Sequence, residues 1–131
     1  MGAPVVEAKN LTKVFGDVVA VDNVSFTIED KDFLVLLGPS GCGKTTILRM
    51  IAGLEIPTSG EISLKGRPVF SNKKGVFVPA RERGVGLVFQ SYALWPHMTV
   101  FDNIAFGLRV QRLGPETIRE KVENVLGYMK L

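Results

Sequence analysis

The order of apolar and polar residues in the first third of the chain predicts two kinds of sheet. Residues 24–28 (Val-Ser-Phe-Thr-Ile) alternate with a period of two, as in a strand with one buried face and one face in water. Together with residues 5–11 they indicate an antiparallel start. Residues 33–37 (Phe-Leu-Val-Leu-Leu) are apolar without alternation, which is typical of a parallel strand covered on both faces. We therefore expect an antiparallel sheet to be followed by a parallel one.

Helical spacing predicts three helices in the remainder of the chain. Residues 46–52 have their apolar side chains on one face, and Gly53 follows as a suitable C-terminal cap. The predicted members of that face are Ile47, Leu48, Ile51 and Ala52. Thr99 is placed to cap a second helix, with Asp102 three residues later. Pro115 suits the first position of a third helix, which continues to the end of the sequence.

Short apolar runs between these helices predict further strands. Two of them lie around Ile62 and Val69, separated by the turn-forming residues 65–68 (Lys-Gly-Arg-Pro). A basic loop is expected over residues 71–83. Residues 85–89 are another apolar run, which ends on the polar pair Gln90-Ser91 in the manner of a strand that leads into a loop.

Composition and charge exclude several classes of protein. The chain has 131 residues, a formal net charge of +3 and no clustering of its basic residues, so we do not expect nucleic acid as a partner. Its one cysteine, Cys42, forms no internal disulfide, and with His97 as the one histidine a Cys/His metal site is not expected. Neither a signal peptide nor a membrane-spanning apolar run occurs in the sequence. The composition fits one globular domain.

A phosphate-binding pattern lies between the predicted strand at residues 33–37 and the first helix. Residues 38–45 (Gly-Pro-Ser-Gly-Cys-Gly-Lys-Thr), hereafter the phosphate loop, have two glycines five apart followed by Lys and Thr. Glycines let the backbone N–H groups wrap a phosphate, and the next helix points its positive end at the anion. Lys44 can then reach the outer phosphates, and the Thr45 hydroxyl can ligate magnesium.

The phosphate loop and the segments around it resemble the ATPases of ABC transporters. The segments that carry the resemblance are residues 11–16, 38–46, 51–54, 57–62 and 84–96. The resemblance implies an α/β fold, the P-loop NTPase (ABC ATPase) fold. Residues 1–131 would be its N-terminal part, with an antiparallel β subdomain, a P-loop parallel-sheet core and the start of the helical subdomain.

One stretch narrows the resemblance within the family. Residues 83–97 are most similar to ATPases of sugar importers of the maltose type. Importers of polyamines such as spermidine, of iron and of sulfate carry similar stretches. The resemblance therefore implies an ATP-binding subunit that couples ATP binding and hydrolysis to import of a solute, with sugar as the expected solute.

The resemblance also implies roles for individual residues, with ATP and Mg²⁺ as cofactors. Phe15 matches the aromatic that stacks on adenine, and packing is its alternative role. Gln90 matches the Q-loop glutamine, which contacts magnesium and the attacking water, and a surface glutamine in a turn is the alternative. Lys44 and Gln90 are the expected catalytic residues, and Thr45 and Gln90 the expected metal ligands. The expected nucleotide-binding residues are Phe15, Gly38, Pro39, Ser40, Gly41, Cys42, Gly43, Lys44, Thr45 and Thr46.

An unusually apolar stretch from Tyr92 to Phe101, hereafter the docking stretch, follows Gln90. In the family this region docks the coupling helix of the membrane subunit; the alternative is that these side chains serve the ATPase core. The resemblance implies permease subunits and a second ATPase subunit as partners. It places the assembly at the cytoplasmic face of the cell membrane.

Two family segments have no counterpart in the sequence. There is no Asp-Glu pair and no Leu-Ser-Gly-Gly-Gln segment. We therefore expect residues 1–131 to contain the A-loop, Walker A and Q-loop of a longer cassette and to end before its signature motif and Walker B. Two hypotheses stay open: an ATPase that energises import in the full-length parent, and a nucleotide-binding module that is itself inert. A small kinase with the same loop would lack a recognisable acceptor site.

Overall fold

The computed structural model describes residues 2–131, which form two compact units. The first unit ends at Leu87, and the second comprises Val88–Leu131. The sheet and the helix that follows the phosphate loop belong to the first unit, and the two later helices belong to the second.

Among residues 2–131, five antiparallel strands form one sheet in the order β2-β1-β3-β4-β5. The strands are β1 (Val6–Phe15), β2 (Val18–Ile28), β3 (Ser59–Leu64), β4 (Arg67–Ser71) and β5 (Val76–Phe77). The antiparallel start is confirmed, as are the strands around Ile62 and Val69. The basic loop expected over residues 71–83 is interrupted by β5 and by a short 3-10 helix, Ala80–Glu82.

Two tight turns close the hairpins of this sheet. Phe15 pairs with Val18, so only Gly16 and Asp17 connect β1 to β2. Leu64 pairs with Arg67 across the second turn, where Lys65 and Gly66 have φ of 49° and 76°. Two successive positive φ angles match the twist of a hairpin, which explains why the turn is shorter than the four residues expected.

Helix α1 (Lys44–Ala52) shares an apolar core with the sheet. Met50 is fully buried together with Leu11 of β1 and Ile62 of β3. The prediction that Leu48 belongs to the buried face is wrong, since its side chain is 46% exposed. The buried stripe runs through Ile47 and the positions three and four residues later, and Leu48 lies about 100° around the helix from Ile47.

Two of the predicted strands, at residues 33–37 and 85–89, are absent from the described structure. Residues 33–37 and 85–89 form no ladder with any residue between 2 and 131. A parallel strand needs backbone partners and cover on both faces, and neither segment has them within this part of the chain. Most of their apolar side chains are consequently exposed, Phe33 by 91% and Val88 by 94%, whereas Leu36 is partly buried against the core of the first unit.

The second unit consists of α2 (Val100–Val110) and α3 (Pro115–Met129), which pack on each other. Ala105 and Val122 are fully buried in their shared core, and Ile118 is nearly so. The predicted cap is confirmed: the Thr99 hydroxyl accepts the Asp102 N–H at 3.1 Å. Among the described residues, no helix combines the length and the apolar character that crossing a membrane requires.

Candidate phosphate-binding site

Glycine at position 43 lets the phosphate loop run directly against β2. A Cβ at Gly43 would lie 2.2 Å from the Ala20 carbonyl oxygen and 3.2 Å from Val21 Cγ2. Its φ of 95° is also in the left-handed region that disfavours other residues. The close approach fixes the start of α1 against the sheet, so the glycine sets the position of the whole loop.

The loop is folded onto itself at its beginning. The Cys42 N–H donates to the Pro39 carbonyl at 3.3 Å. A Cβ at Gly38 would lie 2.5 Å from the Cys42 sulfur, so a larger residue there would require the Cys42 side chain to move. Gly41 differs: its φ is 80°, but a Cβ there would meet open space. Its glycine is required by backbone conformation alone.

The Lys44 ammonium lies inside the loop. Nζ donates to the carbonyls of Gly38 at 2.6 Å and Pro39 at 2.7 Å, and the Cys42 sulfur is 3.4 Å away. A positive charge is therefore held on the concave side of the backbone, at the N-terminal end of α1. An ammonium has three donors on a flexible stem, so it can turn from these carbonyls to an anion without moving the loop.

The N-terminal end of α1 is open. Gly43 occupies the N-cap position, and among residues 2–131 no side chain caps this end and no acidic residue lies in the first turn. The first N–H groups of a helix lack intrahelical partners, and the helix dipole adds positive potential there. Together with Lys44 and the glycine-rich backbone of the phosphate loop, these donors fit an anionic phosphate.

The residues present can contribute only part of a magnesium site. Among the described residues, no group of three or more His, Cys, Asp or Glu side chains could hold a metal ion. Thr45 is exposed at the start of α1, so its hydroxyl can serve as one hard oxygen ligand beside ligand phosphates. The structure places Gln90 in the second unit, exposed in a turn where the Tyr92 N–H donates to the Phe89 carbonyl.

Phe15 ends β1, and its side chain is 46% exposed. The Lys13 ammonium lies 4.7 Å from the centre of its ring. Sequence reasoning identified Phe15 but missed Lys13. The available signal was the spacing, because residues two apart on a strand project from the same face.

The C-terminal end of α1 is closed by the predicted cap Gly53 and by Arg83, which the sequence did not single out. Arg83 is buried, and Nη1 donates to the carbonyls of Met50 at 2.8 Å and Ile51 at 3.0 Å, while Nε donates to Val78 at 2.7 Å. Burial lowers the pKa of the Arg83 guanidinium. A Cβ at Gly53 would lie 2.6 Å from Arg83 Nε, so the helix cap must be glycine to admit the arginine.

The docking stretch of the second unit is exposed over most of its length. Trp95 contacts Phe106 of α2 with the ring centres 5.6 Å apart and is 47% exposed. Asn103 holds the turn before α2: its amide oxygen accepts the Trp95 N–H at 2.8 Å, and Nδ2 donates to the Thr99 carbonyl at 2.9 Å. Tyr92 is 81% exposed, so much of the stretch is available to a partner.

Comparison with known proteins agrees with this arrangement. The family model described as ABC transporter matches residues 21–131. The trehalose/maltose import ATP-binding protein MalK of Thermococcus litoralis is 51% identical over 91% of this chain. The spermidine/putrescine import ATP-binding protein PotA of Pasteurella multocida is 48% identical over 98% of it. The chain spans about a third of the length of these relatives, 32% and 33% respectively.

Solved structures agree with the fold. The ATP-binding cassette MJ0796, in a dimeric post-hydrolysis state bound to ADP and Pi, has a TM-score of 0.80 at 28% identity and covers 96% of this chain. This chain covers 57% of that one. A cbiO1 protein from Clostridium perfringens, part of the transporter complex cbiONQ, has a TM-score of 0.74 at 25% identity over 95% of this chain and 50% of its own. The predicted α/β P-loop fold class is confirmed.

Proposed function

The chain belongs to the ABC transporter family, and from that premise we propose that it binds Mg-ATP through residues 38–46 as part of the ATP-binding subunit of an importer. The observation that carries the proposal is the phosphate loop around Lys44, with the open end of α1 behind it. The ADP and Pi bound to the related cassette support a nucleotide as the anion.

Each group of the site has a proposed task. The backbone N–H groups of residues 38–46 and the Lys44 ammonium bind the phosphates, with Thr46 near the inner ones. The Thr45 hydroxyl is a proposed magnesium ligand. Gln90 is proposed as a second ligand and as a catalytic residue that orients water. Phe15 is proposed to stack on adenine. The metal, when bound, neutralises charge on the phosphates.

Binding is tested by calorimetric titration of the chain with Mg-ATP and, separately, with Mg-tripolyphosphate. We expect both ligands to bind, since the loop recognises phosphates, and ATP to bind more tightly because it also carries adenine. Failure of both titrations would contradict the proposed nucleotide site.

Hydrolysis is proposed for a protein of the relatives' length, about three times that of this chain. Catalysis needs a positioned water, a base and charge stabilisation in addition to phosphate binding. Residues 1–131 supply Lys44, Thr45 and Gln90 of that set, so we expect negligible turnover from this chain alone. A phosphate-release assay beside the full-length protein tests this. Turnover equal to that of the longer protein and abolished by Lys44→Ala would overturn it.

Sugar is the proposed solute, and a polyamine is the second candidate. The sugar proposal is supported by residues 83–97 and by the 51% identity to the trehalose/maltose protein. The polyamine candidate is supported by spermidine/putrescine import proteins at 45 to 50% identity. Uptake of labelled maltose, trehalose and spermidine by the assembled transporter distinguishes the two.

The docking stretch is proposed to meet permease subunits at the cytoplasmic face of the membrane, and a second ATPase subunit is proposed to complete the assembly. Exposure of Tyr92 and Trp95 supports a protein contact there. In the full-length protein, we expect Trp95→Ala to impair assembly or coupling more than nucleotide binding. Cross-linking that finds this stretch remote from every membrane subunit would contradict the proposal.

A further inference from the structure

Lys13 connects Phe15, the predicted adenine contact, to the segment that follows α1. Its Nζ forms an ion pair with Glu55 Oε1 at 2.7 Å, donates to the Ile56 carbonyl at 2.7 Å and lies 4.7 Å from the centre of the Phe15 ring. The Lys13 side chain is only 14% exposed. A lysine buried to this degree is held by its partners, since an unpaired ammonium would be costly to remove from water.

The segment that receives Lys13 is itself fixed at both sides. The Glu55 N–H donates to the carbonyl of Arg49, in the last turns of α1, at 3.2 Å. Further on, the Thr58 N–H donates to the Thr12 carbonyl at 2.8 Å, and the Thr58 hydroxyl accepts the Val14 N–H at 3.0 Å. The end of β1 is therefore bonded to the exit of α1 by Thr12, Lys13 and Val14 in succession.

One face of the Phe15 ring is in contact with the Lys13 ammonium. A half-exposed phenylalanine beside a hairpin turn would otherwise exchange between rotamers, and ordering it would reduce binding affinity. A cation over one face opposes that exchange, because the ring quadrupole attracts the charge. The ring is 46% exposed, so a planar group would have to stack on the face opposite Lys13.

We propose that Lys13 is a positioning residue for the nucleotide base: it holds the Phe15 ring so that one face is presented to adenine. This inference rests on the proposed function, in which Phe15 contacts the base. It predicts a role confined to the base end of the ligand. The phosphate loop has its own cation, Lys44, and its own glycine contacts, so phosphate binding does not depend on Lys13.

Two ligands separate these ends of the site. Mg-ATP carries adenine and Mg-tripolyphosphate does not, and both can be titrated against the same variants. Lys13→Met keeps the apolar stem and removes the charge; we expect about three- to tenfold weaker Mg-ATP binding. Mg-tripolyphosphate affinity should be unchanged. Lys13→Arg, which keeps a cation within reach of Phe15 and Glu55, should restore most of the loss.

A double-variant cycle with Phe15→Ala completes the test. If Lys13 acts through the ring, Lys13→Met should weaken Mg-ATP binding little further once Phe15 is alanine. Lys9→Met, at an exposed lysine of the same strand, is the matched control and should leave both affinities unchanged. Glu55→Gln is a second variant in case Lys13→Met does not fold.

The possible failures are distinguishable. Equal weakening of both ligands by Lys13→Met, or full additivity with Phe15→Ala, would overturn the inference and leave the proposed function standing. No loss of Mg-ATP affinity in Phe15→Ala would also overturn it, because the ring would then not contact the base. Absence of binding of either ligand to the unmodified chain would overturn the proposed function and this inference together.

Discussion

The two ends of α1 are built in opposite ways. At the N-terminal end, Gly43 supplies no side-chain cap, and within the described structure no acidic residue lies in the first turn. At the C-terminal end, Gly53 adopts the left-handed cap conformation, and the N–H groups of Leu54 and Glu55 donate to the Arg49 carbonyl. Arg83 adds a buried guanidinium on two more carbonyls of the last turn.

This difference separates binding from stability within one nine-residue helix. Four N–H groups at the start of a helix and four carbonyls at its end lack intrahelical partners. At the C-terminal end three of these carbonyls, those of Arg49, Met50 and Ile51, accept hydrogen bonds from within the protein, which stabilises the fold. At the N-terminal end the donors are left for a ligand, and glycine contacts instead of caps hold the backbone in place. Substitutions at the two ends should therefore give different phenotypes.

The largest effect is expected at Gly43, which both lies against β2 and forms the open, ligand-binding end of α1. Gly43→Ala would put a Cβ 2.2 Å from the Ala20 carbonyl oxygen at a φ of 95°. Left-handed strain and overpacking together should cost about 2–5 kcal/mol of unfolding free energy, and nucleotide binding should be lost. Gly41→Ala is the matched control, because it has a φ of 80° but open space around the new methyl.

For that control we expect only the strain, about 1–2 kcal/mol. Urea denaturation followed by circular dichroism measures both variants. Equal destabilisation by Gly41→Ala and Gly43→Ala would show that the contact with β2 is not what positions α1.

The next effect is expected at the closed end of the helix. Arg83→Met removes the charged donors from the Met50, Ile51 and Val78 carbonyls and should destabilise the chain by about 2–4 kcal/mol. Arg81→Met removes an exposed guanidinium two residues earlier and should change the unfolding free energy by less than about 0.5 kcal/mol. Similar midpoints of urea denaturation for Arg83→Met and the unmodified chain would contradict the closed-end interpretation.

The sequence predicted those elements of the fold whose partners are close along the chain. Hairpin strands β3 and β4, the cap at Thr99 and the start of α3 at Pro115 are all decided by neighbouring residues. The prediction of strands at residues 33–37 and 85–89 was wrong because a parallel strand depends on partners that are distant along the chain. An apolar run indicates that a segment would be buried in a folded protein, but it does not identify the residues that would pack on it.

The site was predictable to the same extent. The phosphate loop is a local pattern, and its backbone conformation needs glycines that can be read directly from the sequence. Lys13 and Arg83 were missed because their roles depend on groups far away in the sequence: Glu55 is 42 residues from Lys13 and Met50 is 33 from Arg83. A basic residue in a strand or loop is usually a solvated charge. The two-residue spacing from Phe15 was a local signal for Lys13, and no local signal distinguished Arg83.

A smaller effect, confined to binding, is expected at the open end. Lys44→Ala should weaken Mg-ATP binding by about ten- to a hundredfold, since one charge-assisted phosphate contact contributes about 1.5–3 kcal/mol. Unfolding free energy should change by less than about 1 kcal/mol, because among residues 2–131 the Lys44 ammonium bonds only to its own loop. Calorimetry and denaturation on the same preparation test both parts. Unchanged affinity, with Lys121→Ala as the surface control, would contradict the phosphate-loop proposal.

The smallest effect sharpens the comparison with a helix whose N-terminal end is closed. The Thr99 hydroxyl accepts the Asp102 N–H at the start of α2 and donates to Asp102 Oδ2 at 2.8 Å. The N-cap of α1, Gly43, has no side chain that could do the same. Thr99→Ala should cost about 1 kcal/mol of unfolding free energy without affecting Mg-ATP binding. Fluorescence of Trp95, the single tryptophan of the chain, follows the transition near this cap.

The contribution of the Thr99 cap to the unfolding free energy is expected to depend on pH in the acid range. The hydrogen bond from Thr99, followed by that from Arg109, holds the pKa of Asp102 below its ordinary value. Because the folded-state pKa is the lower one, this carboxylate stabilises the fold fully above its unfolded pKa of about 3.9, and the contribution is lost as the pH falls through the folded value. Thr99→Ala removes the first cause, so its difference in stability from the unmodified chain should shrink as the pH is lowered below about 4. In an Asp102→Asn background the effect of Thr99→Ala should no longer vary with pH over this range. A pH dependence that persists in that background would assign the titration to another carboxylate and leave Thr99 a backbone cap alone.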